Sequence, residues 1–150
     1  MRIEPCTRDT LGEWIALRAA LWPDTSEEEH RQEASDMLQR FGRAAAFLAR
    51  TSEGGPVGFA EVALREDYVN GCTTSPVAFL EGIYVDPDHR RTGVARLLSR
   101  AVEDWANNLG VSELASDAEL HNTISHRMHA ALGFEETERI VYFRKALRRA

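Results

Sequence analysis

Along the chain the spacing of hydrophobic and polar positions changes period several times, and each change marks an element. A short strand is predicted over Arg2 to Pro5. In the stretch TLGEWIALRAALW that follows, Leu11, Trp14, Ile15, Leu17, Arg18 and Leu21 recur at the helical period. Thr10 and Glu13 fit a capping box at its start, and Pro23 stops it. A second helix is predicted from Ser26 as N-cap, with Glu29 three residues on and Gly42 as the stop. Its acidic first turn suits the positive end of the helix dipole, so part of that charge is structural. AAAFLART and PVGFAEVALR, joined by SEGG, read as a β-hairpin, and EDYVNGCTTSP reads as a loop turning at Asn70-Gly71.

VAFLEGIYV is a nearly continuous apolar run, as in a central strand buried on both faces, and Gly82 inside it marks a bulge or a close backbone approach. GVARLLSRAVEDWANNLG is a helix with Leu97, Leu98, Ala101, Val102 and Trp105 on its apolar stripe and Gly110 at its end. SELASD is a short strand, NTISHRMHAAL a helix stopped at Gly133, and FEETERIVYFRKAL a final strand. The order βααβββαβαβ, without repeats or a linker, predicts one mixed α/β domain over residues 1–150.

Composition narrows the function classes. The chain has 150 residues, 43% hydrophobic and 28% charged, which suits a globular domain able to bury a core. A net charge of −6 and the lack of a basic stripe argue against nucleic acid as the main partner. Cys6 and Cys72 fit no metal or redox spacing, and two free thiols suit a reducing cytoplasm. No apolar run reaches membrane-spanning length and MRIEPCTRDT has no signal core, so a cytoplasmic location without a membrane partner is expected. His121, His126 and His129 do not make a metal site: only the last two share a helical face, and no carboxylate completes the set. The tail RKALRR reads as a solvated basic end.

The segment DPDHRRTGVARLL carries the clearest chemistry. A strand, a turn and a helix N-terminus in succession form a natural anion seat, because the first backbone N–H groups have no intrahelical partner. Gly93 lets the backbone approach an anion, Ala95 keeps that face small, and Arg90 and Arg91 add charge for phosphate oxygens. The string alone also fits a solvated basic turn.

Following LEGIYVDP, the run Arg90-Arg91-Thr92-Gly93-Val94-Ala95 resembles the pyrophosphate-binding motif of the GCN5-related N-acetyltransferases (GNAT). HNTISHRMHAALGFEETERIVYFRK resembles the second cofactor-proximal segment of that family. The resemblance implies a GNAT fold: a central, mostly antiparallel mixed sheet flanked by helices and splayed where acetyl-coenzyme A binds. It places the pantetheine arm on the backbone of Ile83, Tyr84 and Val85, the phosphates on Arg91 to Arg96, and Asn122 near the arm and thiol. Trp22-Pro23, YVNG, FLEGIYV and ASDAELHNTISHRMHAALGFEETERIVYFRK are further similar to the short, dimeric subgroup of aminoglycoside 6'-N-acetyltransferases, over essentially the whole chain. That likeness implies acetyl transfer to an aminoglycoside, antibiotic resistance, and a homodimer whose C-terminal region crosses to the partner. Acceptor contacts then fall on Trp22, Tyr68, Glu81, Asp117 and Glu138. The departures lie at Arg91-Thr92 and in the helix Ser26 to Phe41, where solvent-facing side chains vary without changing the chemistry.

A polycationic aminosugar needs carboxylates and hydrogen-bond acceptors. Glu81, in an apolar strand, either reaches an arginine such as Arg65 or Arg139 or meets a cationic ligand, and the ligand reading is preferred. Asp117 either contacts the acceptor or caps the turn after its strand. Trp22 and Tyr68 suit a sugar face but also a core. For the reaction, the Val85 N–H polarises the thioester carbonyl, Asp117 or Glu81 accepts the amine proton directly or through water, and Tyr142 is the candidate acid for the thiolate. Because carboxylates beside the amine also favour its ammonium form, positioning carries much of the rate. Two alternatives share the cofactor motif: acetylation of a polyamine or protein amine, and a non-catalytic acetyl-coenzyme A binding module. Neither requires the acceptor set together.

Overall fold

The computed structural model describes residues 1–148, in one unit from Met1 to Asp117 and a second from Ala118 onward. In the first unit, five strands form one sheet in sequence order: β1 (Arg2–Pro5), β2 (Ala44–Arg50), β3 (Pro56–Arg65), β4 (Val77–Val85) and β5 (Leu114–Ser116). β1 to β4 pair antiparallel, and β5 joins β4 in parallel. The parallel step needs a crossover, supplied by α3 (Val94–Asn108). α1 (Leu11–Leu21) and α2 (Glu27–Gln39) lie between β1 and β2 in sequence.

Both faces of the sheet are covered. Trp14 and Leu17 of α1 and Ala34 of α2 pack with Leu48 and Phe59 in one core cluster. Residue 58 faces the other way from Phe59, and there Leu98 of α3 stands close to Gly58. β3 is therefore continuously buried from Val57 to Ala63, and its apolar run follows from being covered on two sides. α3 buries Val94, Leu98, Ser99, Val102 and Ala106, while Leu97, Ala101 and Trp105 from the predicted stripe are only half-buried. Arg50 ties the edge together: it reaches Glu13 of α1 at 2.9 and 2.6 Å, the Gly54 carbonyl at 3.0 Å, and Glu4 of β1.

Ser26 caps α2 by accepting the Glu29 N–H at 3.1 Å, as its sequence predicts. The predicted box at Thr10 and Glu13 is corrected: the Thr10 hydroxyl instead accepts the Thr7 N–H at 2.8 Å, stabilising a single 3-10 turn before α1, and Glu13 is drawn off to Arg50. Both cysteines are free, and burial pushes the Cys6 thiol far above the usual range. None of the helices is long and apolar enough to cross a membrane, among the described residues.

The second unit holds α4 (Thr123–Ala131), whose N-cap Asn122 accepts the Ser125 N–H at 3.1 Å. The final strand predicted over FEETERIVYFRKAL does not form: residues 134–148 carry no strand. A strand needs a laddered neighbour, and no pairing with β1 to β5 reaches this segment. Its apolar side chains stand in solvent, Phe143 at 93% and Leu147 at 86% exposure.

Candidate active site

The site is built on an irregularity in β4. Opposite β3, Glu61 pairs with Gly82 and Val62 with Leu80, so Glu81 is an extra, bulged residue. A bulge bends the strand and re-aims the side chain it carries. Beyond it, the ladder phase fixes what the backbone offers. The Asp86 N–H donates to the Val57 carbonyl at 2.7 Å, which makes that pair a hydrogen-bonded one. Alternation then makes Gly58/Val85 and Ala60/Ile83 non-hydrogen-bonded pairs. The N–H and C=O groups of Ile83 and Val85 consequently point away from β3, while those of Tyr84 point towards it. β5 occupies the opposite edge of β4 only from Ala78 to Leu80, and its own register stops at Ser116.

After β4 comes the arginine turn. Arg91 has φ of 62°, and Gly93, at the N-cap of α3, has φ of 89°. Left-handed residues in such a turn leave successive N–H groups converging at a helix start, a concavity suited to an anion. A Cβ at Gly93 would meet nothing within 4 Å, so the position is open. The two arginines differ. Arg90, though exposed, folds back along β4: its Nε donates to the Val85 carbonyl at 2.9 Å and its guanidinium lies 5.7 Å from the Tyr84 ring centroid. Arg91, Thr92 and Arg96 are exposed, Val94 is buried and Ala95 half-buried. The Thr92 hydroxyl braces the turn through the His89 carbonyl at 2.5 Å.

Beside the bulge is a cavity of about 490 Å³ whose walls include Trp22, Glu33, Asp36, Glu61 and Glu81. Trp22 and Glu81, two of the predicted acceptor residues, therefore share one space. Glu81 also meets an arginine: Arg65 donates to its two oxygens at 3.2 and 2.8 Å, which is the arginine alternative that its position in the sequence left open. Glu81 remains partly exposed, with its side chain at 31%. Asp117 lies exposed just past β5, and Tyr68 is 74% exposed in the loop before β4. Asn122, Glu138 and Tyr142 belong to the second unit and are exposed there, Tyr142 at 81%.

Sequence reasoning missed the floor of this cavity. Arg18 is 3% exposed and Glu61 likewise 3%. Arg18 Nη1 donates to both Glu61 oxygens at 3.3 and 3.2 Å, and Trp14 Nε1 adds a third hydrogen bond at 2.8 Å. Burial nevertheless pushes the Glu61 carboxyl up to about 7, against the opposing pull of Arg18 and Trp14. α2, taken from sequence to vary without consequence, contributes Glu33, Asp36 and Met37 to the walls, and its C-cap Arg40 adds a fourth residue. The available signals were Arg18 on the apolar stripe of its helix and Glu61 as the one carboxylate within VGFAEVAL.

The His-rich segment gathers no metal site: His126 Nε2 lies 3.0 Å from the Glu119 carbonyl and His129 Nδ1 2.7 Å from that of Ser125. Among the described residues no three His, Cys, Asp or Glu side chains are grouped to hold a metal ion.

Comparison with known proteins places this geometry. The model of the acetyltransferase (GNAT) family matches residues 14–134. An aminoglycoside N(6')-acetyltransferase type 1 of Serratia marcescens is 55% identical over 142 residues, 95% of this chain and 97% of that protein. One of Acinetobacter baumannii is 49% identical over 97% of this chain and 98% of its own. Among solved structures, the apo aminoglycoside 6'-N-acetyltransferase AAC(6')-IG of Acinetobacter haemolyticus superposes with a TM-score of 0.93 at 47% identity, covering 99% of this chain and 100% of that one. AAC(6')-Iy in complex with the bisubstrate analogue CoA-S-monomethyl-acetylneamine gives 0.92 at 44%, covering 97% and 98%. A five-stranded sheet with its bulge at Glu81, and a left-handed turn at Gly93 leading from β4 into α3, thus coincides with a family match over most of the chain: the protein belongs to the acetyltransferase (GNAT) family.

Proposed function

We propose that the chain transfers the acetyl group of acetyl-coenzyme A to the 6'-amine of aminoglycoside antibiotics, an activity that confers resistance. The observation that carries this reading is the full-length likeness to the chain solved with a joined coenzyme A and aminoglycoside analogue. The local geometry agrees. The αL turn at Gly93 and the N-terminus of α3 suit the pyrophosphate, with Arg91, Thr92, Val94, Ala95 and Arg96 around it and Arg90 anchoring the turn. The outward N–H groups of Ile83 and Val85 and the Ile83 carbonyl, on either side of Tyr84, suit an amide-bearing arm, and Asn122 remains the proposed contact near the thiol.

In the reaction, the neutral 6'-nitrogen forms a bond to the thioester carbonyl carbon, the carbon–sulfur bond breaks, and amide and thiol leave. The Val85 N–H faces the edge where that carbonyl would lie and stabilises charge developing on its oxygen. Glu81 or Asp117 takes the amine proton directly or through water, and Tyr142 is the proposed proton source for the thiolate. Trp22, Tyr68, Glu81, Asp117 and Glu138 hold the aminosugar.

A homodimer fits the second unit. Ile140, Val141, Phe143 and Leu147 are exposed on a segment with no strand partner, and an apolar stretch of this kind is a pairing site. In the dimer the segment pairs with the second copy and Glu138 and Tyr142 serve the neighbouring site. We place the enzyme in the cytoplasm, where acetyl-coenzyme A is made. The reaction is tested with a matched pair of aminoglycosides, one bearing a 6'-amine and one a 6'-hydroxyl. Thiol release with the first and none with the second is expected. Equal release with both would move the acetylated position elsewhere.

A further inference from the structure

Around Trp22 the structure gathers groups that the reaction above does not use. Trp22 closes α1, its N–H donating to the Arg18 carbonyl at 2.8 Å. The Arg18 guanidinium lies 4.9 Å from the centroid of the Trp22 ring, and His30 of α2 stacks on the ring at 6.5 Å and 25°. Arg18 Nε donates to His30 Nδ1 at 3.3 Å. With Nδ1 accepting, the ring proton sits on Nε2, which donates to the Trp22 carbonyl at 3.1 Å. Arg18 itself is pinned by Glu61 and by Glu33.

The Cη2–Cζ2 edge of the ring rests on Gly82. A Cβ there would stand 2.5 Å from Trp22 Cη2 and 2.7 Å from Cζ2, well inside van der Waals contact. Gly82 does not have a positive φ, so its backbone does not demand glycine. Its missing side chain makes room for the indole. A buried ionic network is a weak source of net stability compared with apolar packing of the same volume. What three elements converging on one ring supply is a single orientation.

We propose that Arg18, His30 and Gly82 are positioning residues for the acceptor: they fix the Trp22 indole so that it presents a set face to an aminosugar whose ammonium groups meet Glu81. This rests on Trp22 being an acceptor contact. It predicts a particular kinetic signature, because a shifted ring weakens sugar binding without touching the thioester end.

The test is a double-mutant cycle between Gly82→Ala and Trp22→Ala, with kanamycin as acceptor and coenzyme A binding followed by calorimetry. Gly82→Ala is expected to raise the kanamycin KM about tenfold or more, with kcat and coenzyme A affinity within about twofold of wild type. In the Trp22→Ala background the same change should move KM less than about twofold, since the ring it would strike is gone. Equal losses in both backgrounds would mean that position 82 acts through Glu81 or the strand, and would overturn the proposal, as would an unchanged KM in Gly82→Ala. Should that variant not fold, His30 carries the test: His30→Ala should raise KM and His30→Gln, which keeps a donor for the Trp22 carbonyl, should recover most of it. Identical behaviour of the two overturns the proposal. If Trp22→Ala leaves KM unchanged while kanamycin is still acetylated, the positioning idea fails and the proposed reaction stands; if wild type does not acetylate kanamycin, the reaction itself fails and the positioning role with it.

Discussion

Arg65 grips Glu81 at two points, Nε on one carboxylate oxygen at 3.2 Å and Nη2 on the other at 2.8 Å, while its guanidinium lies 3.5 Å from the centroid of the Phe79 ring. An acceptor ammonium reaching Glu81 has to share it with this resident cation. Arg65→Gln and Glu81→Gln are therefore expected to act in opposite directions on the aminoglycoside KM, lowering it in the first and raising it in the second. Added salt should weaken acceptor binding most in Arg65→Gln, where the carboxylate is uncompensated. The pair is partly exposed, so Arg65→Gln should cost no more than about 1 kcal/mol of stability. Steady-state kinetics over a salt series and a thermal melt read all three.

Asp117 stands exposed past the end of β5, in line with a ligand contact. Asp117→Asn keeps its shape and removes its charge. Losing a charge-assisted hydrogen bond costs ~1.5–3 kcal/mol, and exposure favours the low end, so acceptor kcat/KM should fall by tens of fold with coenzyme A affinity intact. A rise in KM marks an anchor. A fall in kcat at constant KM marks a proton acceptor.

At Gly93 two substitutions separate conformation from charge. The position is open but its φ is 89°. Gly93→Ala meets only backbone strain, about 1 kcal/mol, and should weaken coenzyme A modestly. Gly93→Glu adds bulk and like charge where phosphate should sit and should abolish binding. Calorimetry with coenzyme A distinguishes the two, and equal affinities would refute the anion seat.

Glu61 gives the fold a pH signature. Burial raises its pKa from 4.5 to about 7, Glu33 and Glu81 add to the rise, and Arg18 and Trp14 oppose it. A folded-state pKa raised in this way means that the native state holds the proton more tightly than the unfolded chain. The resulting stability is fully present below pH 4.5 and is lost as pH rises through about 7. Glu13, Glu113 and Glu136 have lowered pKa values and so act below 4.5, where stability falls with falling pH. Melting temperatures between these limits should decline towards neutrality in wild type and flatten in Glu61→Gln.

The sequence made most elements readable because their signals are local: the Ser26 cap, the SEGG hairpin, the apolar run of β4 and the helix after Gly93 all appear where their residues predict. The segment from Phe134 onward failed for the complementary reason. Its apolar residues read as a strand, but a strand is defined by a neighbour, and none is laddered to it among the described residues. The turn into α3 was legible from Gly93, yet the hydrogen bond from Arg90 back to the Val85 carbonyl was not, since side-chain direction depends on the ladder phase of β4. The Arg18–Glu61 floor joins residues 43 positions apart on a helix and a strand. Spacing along the chain cannot pair them.

Which amine the site accepts decides what this enzyme does. Aminoglycosides bearing a 6'-amine, spermidine and a lysine peptide, each incubated with acetyl-coenzyme A while thiol release is followed, address this directly. A kcat/KM for the aminoglycosides at least about a hundredfold above the other amines is expected, because only they offer a sugar face to Trp22 together with several ammonium groups to Glu81 and Asp117. Thiol release fastest with spermidine or the peptide would contradict the acceptor assignment, and release with none of them would leave a chain that binds acetyl-coenzyme A without transferring its acetyl group to these amines.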